Sequence, residues 1–86
     1  MKYFVYLLIT KTNDQSISYV GFTSDLKQRV KLHNQGKGAK FTRGRKWILA
    51  YKKCYKTKSE ALKNESLLKK NYKKRSEIKN KFLLNK

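Results

Sequence analysis

Seven apolar residues stand in a row from Tyr3 to Ile9. With Thr10 they read as a strand of aromatic and branched residues that is apolar on both faces. The run is too short to span a membrane, and no small-residue cleavage site follows it as one would follow a signal peptide. Polar turn material, Thr12-Asn13-Asp14-Gln15-Ser16, comes next, and Ile17 to Phe22 is a second strand. The two strands form an antiparallel hairpin with a longish loop. Thr23 or Ser24 caps a helix that ends at Gly36, a residue suited to the left-handed position after a helix. Gly36 to Lys46 is a basic, glycine-containing loop, and Trp47 to Tyr55 is a third strand. Thr57-Lys58-Ser59-Glu60 fits a capping box and opens a helix running to about Lys70. Ser76 or Glu77 begins a last helix with Ile78, Phe82 and Leu83 as its apolar stripe. No proline, linker or internal repeat interrupts the chain, so residues 1–86 read as one domain. A leading hairpin, with helices gathered later, argues for an α+β fold with a small antiparallel sheet.

The charge balance narrows the partners. Lys and Arg number 23 against 5 Asp and Glu, a formal net charge of +18. Such a field attracts polyanions and speeds encounter with them. Nucleic acid is the partner this favours over an anionic membrane surface. Six tyrosines, four phenylalanines and one tryptophan are too many for a disordered basic tail. The single cysteine, Cys54, excludes an internal disulfide. With a single histidine it also excludes a structural zinc site. The expected compartment is the cytoplasm.

Helical phasing at about 100° per residue exposes two oddities. In the first helix Leu26, Val30 and Leu32 set an apolar arc, and Arg29 and His33 fall inside it. Lys27, Gln28, Lys31, Asn34 and Gln35 take the opposite side. Burying a guanidinium is costly unless it is paired. Either Arg29 snorkels at the edge of the arc with His33 a satisfied core histidine, or the pair faces an anion. In the second helix Ala61, Leu62 and Leu68 set the arc, and Glu65 lies within it. The other acids have ordinary places: Asp14 in a turn, and Asp25, Glu60 and Glu77 near helix starts, where negative charge suits the dipole. Glu65 either pairs with Lys69 four residues on, or faces the same cleft as Arg29 and holds a divalent cation, which takes hard oxygen ligands.

The strands add hydroxyls. Phe4, Tyr6 and Leu8 share one face of the first strand, and Tyr19 shares its face with Gly21. A glycine within a strand often marks a close approach to the backbone. The stretch from Tyr19 to His33, a strand that hands over to a helix bearing a cation and the only histidine, reads as a phosphate site.

Phe4-Val5-Tyr6, Tyr19-Val20-Gly21, Arg29, His33 and Glu65 together resemble the GIY-YIG endonuclease superfamily, and its compact stand-alone bacterial branch in particular. The run Asn34 to Arg43 and the helix Glu60-Ala61-Leu62…Glu65…Lys69 resemble that branch too. The resemblance covers nearly the whole chain. It implies a three-stranded antiparallel sheet flanked by helices, and metal-dependent cleavage of DNA phosphodiesters. Carried over by position, it makes Tyr6 and Tyr19 the motif tyrosines, Arg29 the ligand of the scissile phosphate and Glu65 the metal ligand. His33 takes a position that assists a tyrosine or the water. Phe4 stands where the motif name has Gly, so its side chain is expected to narrow the cleft. Lys46 stands where this branch often has Pro.

Hydrolysis of a phosphodiester needs an activated water, neutralised phosphate charge and help for the leaving oxygen. Arg29 offers a planar fork to two oxygens. One metal on Glu65, Mg²⁺ with Mn²⁺ as the other candidate, would serve the leaving oxygen; the chain has too few acids for a two-metal site. Tyr6 or Tyr19 would take the water's proton with His33 as relay, Arg29, a metal and the positive field all favouring phenolate. Lys37, Lys40, Arg43 and Arg45 on the loop, and Lys69, Lys70, Lys73 and Lys74 after the second helix, would contact the DNA backbone, which positions without reading sequence. That predicts weak sequence preference and strong salt dependence, for an endonuclease that is weakly sequence-selective or structure-selective, as in repair or recombination. The competing reading is a non-catalytic module that keeps this fold and binds DNA or RNA. Targeting comes either from the basic surface or from a partner protein. The oligomeric state is left open.

Overall fold

The computed structural model describes residues 2–11 and 16–84. Strands β1 (Tyr3–Lys11), β2 (Ser16–Thr23) and β3 (Ile48–Tyr55) form one antiparallel sheet in the order β2-β1-β3. Helix α1 (Leu26–Asn34) follows β2; α2 (Lys58–Lys70) and α3 (Tyr72–Leu84) follow β3. The turn read at Thr12 to Gln15, Asp14 included, lies outside the described residues, and Ser16 belongs to β2.

The doubly apolar first strand explains this order. Val5 to Ile9 are each at most 2% exposed, which only a central strand covered on both faces can achieve. Val5, Leu7 and Ile9 pack with Val20, Ala61 and Leu68, joined by Ile78 and Phe82, so α2 and α3 cover one face. Tyr6 and Leu8 pack with Trp47, Tyr19, Leu26, Val30 and Leu49, so α1 covers the other. An irregularity between Leu7 and Leu8 shifts the pairing with β3 from Tyr51 to Leu49.

Most expected boundaries hold to within a residue or two; the caps differ. α1 is capped by Asp25, not by Thr23 or Ser24: its carboxylate accepts from Gln28 N at 3.2 Å. Thr23 still ends β2, paired with Phe4, and its hydroxyl accepts from Asp25 N at 3.1 Å. The helix closes as expected at Gly36, φ 77°. There Gly36 N donates to His33 O and Lys37 N to Leu32 O, the paired bonds of a Schellman stop. Thr57 caps α2, accepting from Glu60 N at 3.1 Å, and its hydroxyl donates to Glu60 Oε1 at 3.1 Å. The last helix begins at Tyr72 rather than at Ser76 or Glu77. Asn71 caps it, with its Oδ1 accepting from Lys74 N at 3.0 Å, while its own N–H bonds back to Leu68 O at 3.2 Å. One asparagine thus ends α2 and starts α3, and Lys73, Lys74 and Arg75 are helical. Glu77 sits in the second turn, away from the helix start.

Asn71→Ala should cost about 1 kcal/mol in urea unfolding, while Ser76→Ala should stay within about 0.5 kcal/mol. The reverse order would place the helix start at Ser76.

Candidate active site

On the α1 side of the sheet Tyr6 lies across from Gly21. The glycine does mark a close approach, and what approaches is Tyr6: a Cβ on Gly21 would collide with its hydroxyl. The ring is 1% exposed. Its hydroxyl meets His33 Nε2 at 2.8 Å.

His33 is itself fully buried, at 0% exposure. Its Nδ1 lies 2.9 Å from Thr42 Oγ1. The Thr42 hydroxyl proton is committed elsewhere, to Ala39 O at 2.9 Å. Thr42 therefore accepts from His33 Nδ1–H, which leaves the lone pair on Nε2, and Tyr6 donates to it. Burial first, and the Arg29 charge second, lower the His33 pKa below its usual 6.5, so the ring is neutral at pH 7. For Tyr6, burial raises the pKa above 10, with smaller pushes from Tyr19 and Glu65. A hydrogen bond and charge from Arg29 oppose this and are outweighed. The expectation that Arg29 and the positive field favour phenolate is therefore corrected for the protein's own groups: desolvation wins, and Tyr6 keeps its proton, which it donates to His33 Nε2.

Arg29 is half-buried beside this chain. Its Nη2 donates to Gly38 O at 3.2 Å, whereas its Nε is buried and makes no hydrogen bond. A guanidinium held at one corner, with an unmet buried donor at another, suits an anion. Leu26, Arg29, Val30 and His33 follow the inward i, i+3, i+4, i+7 stripe, which confirms the phasing.

Glu65 comes from the opposite face of the sheet. On α2 the inward stripe is Ala61, Asn64, Glu65 and Leu68; Leu62, expected inside, is 41% exposed. β2 is an edge strand, so side chains from the two faces of the sheet can meet around it. A cavity of about 270 Å³ wraps that edge, lined by Ser18, Tyr19, Val20, Phe41, Lys69 and Arg75. The Glu65 carboxylate acts on the Tyr6 phenol and pairs with Lys69 at 3.6 Å, the Lys69 side chain being 53% exposed. The pair with Lys69, read as one of two alternatives for Glu65, is the contact the structure shows. No cluster of three His, Cys, Asp or Glu occurs among the described residues, which leaves Glu65 as a single carboxylate.

Tyr19 packs against His33 with centroids 5.0 Å apart and stacks on Phe41 at 6.1 Å. Of the expected backbone contacts, Lys37, Lys40, Arg43, Lys70, Lys73 and Lys74 are exposed. Arg45 lies 5.5 Å from the centre of the Phe41 ring. Phe4 does not narrow this cleft; it lines a separate cavity with Asp25, Leu26, Val30 and Leu49.

Four residues carry the site without having been legible beforehand. Thr42 sits in a basic loop whose family-like run, Asn34 to Arg43, assigns it no role. Gly38 leaves room for the His33 ring, which a Cβ would strike. Asn34, assigned to the polar side of α1, brackets Trp47: Trp47 N donates to its Oδ1 at 2.6 Å and its Nδ2 donates to Trp47 O at 3.1 Å. Trp47 Nε1 in turn donates to Thr42 O at 2.9 Å. All four act across the loop, where no periodicity reports on them.

A family model described as the GIY-YIG catalytic domain matches residues 2–80. The chain belongs to the GIY-YIG nuclease family. A UPF0213 protein of Staphylococcus epidermidis is 52% identical over 65 residues, 74% of this chain and 76% of that protein. A UPF0213 protein of Haloquadratum walsbyi is 43% identical over 65 residues, 74% of this chain and 72% of that protein. The solution structure of a UPF0213 protein from Bacillus halodurans is 36% identical, covers 90% of this chain and 80% of its own, and has a TM-score of 0.48. In this GIY-YIG chain the motif tyrosines come from two neighbouring strands, and the motif glycine is the one that Tyr6 crosses. No helix among the described residues is long and apolar enough to cross a membrane.

His33 is the only histidine, so its protonation can be followed in stability. The unfolded chain takes up a proton near pH 6.5 that the folded chain resists. This contribution is intact above that pH and is lost as pH falls below it. The thermal midpoint should drop from about pH 7.5 to about pH 5.5, and His33→Gln should flatten that slope. A wild-type midpoint that rises on acidification would refute the buried neutral ring. Gly38→Ala should destabilise by about 1–3 kcal/mol through overpacking, measured by urea unfolding.

Proposed function

We propose that this GIY-YIG protein is a divalent-metal-dependent DNA endonuclease with weak sequence preference, acting on DNA in the cytoplasm. The observation that carries the reading is the buried chain Tyr6–His33–Thr42, which ends beside the unmet Arg29 donor. A proton path that terminates on an anion site is what hydrolysis of a phosphodiester requires.

Arg29 holds the scissile phosphate through the guanidinium donors that Gly38 O does not take. A water oxygen forms the new bond to phosphorus as the phosphorus–oxygen bond to the leaving group breaks. The water's proton passes to Tyr6 Oη while the Tyr6 proton passes to His33 Nε2. The new imidazolium keeps its Nδ1–H on Thr42, so the ring does not turn. The products are a phosphate monoester and a free hydroxyl, whose oxygen takes its proton from solvent. Tyr6 need not exist as phenolate beforehand, which removes the difficulty of its raised pKa. The bond to His33 is what favours Tyr6 over Tyr19 as the proton acceptor.

GIY-YIG nucleases generally depend on a divalent metal. Glu65 fits as its protein ligand: one inward carboxylate, with the remaining positions left to water and phosphate oxygens, is the usual manner of Mg²⁺, and Mn²⁺ fits the same donors. When bound, such an ion neutralises charge on the leaving oxygen. The exposed Lys37, Lys40, Arg43, Lys70, Lys73 and Lys74 hold the DNA backbone and give binding a steep salt dependence.

The test is nicking of supercoiled and branched DNA in Mg²⁺ or Mn²⁺, beside EDTA and Glu65→Ala. Wild type should nick only with metal, and Glu65→Ala should not. Tyr6→Phe should lower the rate by about 10²-fold or more. Thr42→Val should lower the rate and distort its pH profile, with Thr42→Ser restoring both. Tight DNA binding with no metal-dependent nicking on any substrate would replace the enzyme by a binding module. Full activity of both Tyr6→Phe and Tyr19→Phe would remove tyrosine from the mechanism.

A further inference from the structure

Phe41 is out of place for a core aromatic. It is 52% exposed, although its neighbour Thr42 is fully buried and Trp47 is 3% exposed. Its ring is nevertheless held from several sides. Tyr19 stacks on it with planes 19's and 41's rings inclined by 22°. Trp47 lies 6.2 Å away at a tilt of 40°, and the Arg45 guanidinium lies 5.5 Å from its centroid. A ring packed by its neighbours yet half exposed leaves aromatic surface that a flat partner can cover.

The cavity beside it supplies the rest. Phe41 and Tyr19 form an aromatic wall, and Lys69 and Arg75 contribute cations. Arg75 Nε and Arg45 Nη1 are buried and make no hydrogen bond. At about 270 Å³ the space falls just below the usual range of small-molecule pockets. An aromatic wall and the unmet Arg75 donor in one small cavity, with the Arg45 guanidinium over the Phe41 ring beside it, match a base and a phosphate, the two ends of a nucleotide.

The geometry points to a subsite for one unpaired nucleotide, its base stacked on the Phe41–Arg45 platform and its phosphate held by Arg75 and Lys69. The subsite deepens the nuclease reading and rests on it for its meaning. It shares Tyr19 with the Tyr6–His33 centre, so the nucleotide it holds neighbours the scissile phosphate. Bases in a duplex have both faces covered by their neighbours, so the platform selects a strand that is already open. Stacking ignores base identity. Selection by DNA structure follows without any reading of base edges.

The test is fluorescence anisotropy in EDTA, where no cleavage occurs, with a labelled single strand and the duplex of the same sequence. Wild type should bind the single strand more tightly. Phe41→Ala should weaken single-strand binding by about tenfold and leave duplex binding unchanged, and Phe41→Trp should restore it. Arg75→Gln should weaken single-strand binding and reduce its logarithmic salt slope by about 0.7. Thermal melts of each variant establish that it folds. Equal effects of Phe41→Ala on both DNAs, no effect on either, or failure of Phe41→Trp to restore binding would overturn the subsite. The two readings fail separately. Loss of the Phe41 dependence with nicking intact removes only the subsite, and a Phe41-dependent single-strand preference without nicking removes only the nuclease.

Discussion

His33 is held at both ring nitrogens, and the rest of the site depends on that. Nε2 accepts from Tyr6 on the central strand, and Nδ1 donates to Thr42 in the loop after α1. A strand, a helix and a loop meet on one neutral ring with no exposed surface. Thr42 has a single proton, spent on Ala39 O, so the tautomer is decided two bonds away from the chemistry. Leaving either nitrogen unmet in this interior would cost the desolvation of a polar group. The glycines follow from the same ring stack: Gly21 gives way to Tyr6 and Gly38 to His33.

The second constraint is that β2 is an edge strand. Helices on opposite faces of a sheet normally have no access to one another. Here the sheet stops at β2, and the cavity turns round its edge, so Tyr19 from one face and Lys69 and Arg75 from the other line the same space. Glu65 influences the Tyr6 phenol across that edge. Side chains from opposite layers line one space without any of them crossing the core.

Much of this was legible in the chain. Val5 to Ile9 required cover on both faces, and the inward positions of Arg29, His33 and Glu65 followed from helical phase. The failures share a cause. Asp25 and Asn71 compete with nearby Thr23, Ser24 and Ser76 as caps, and all of these residue types cap well. The choice between them is made by where the preceding strand or helix ends. Leu62 was placed inward by its apolarity, but the stripe that meets the sheet is set by Ala61 and Leu68, whose neighbours on that stripe are Asn64 and Glu65.

By itself the sequence determined the family, the α+β architecture and the inward phase of Arg29, His33 and Glu65, because periodicity and motif spacing are local properties. Tertiary structure alone decided that Tyr6, not Tyr19, bonds His33, that Thr42 sets the tautomer, and that burial outweighs Arg29 at the phenol. It also left Phe41 half exposed beside the cavity that Arg75 lines. Each of these depends on distances between residues far apart in the chain and on how much water is excluded between them. Only the packed fold fixes those quantities.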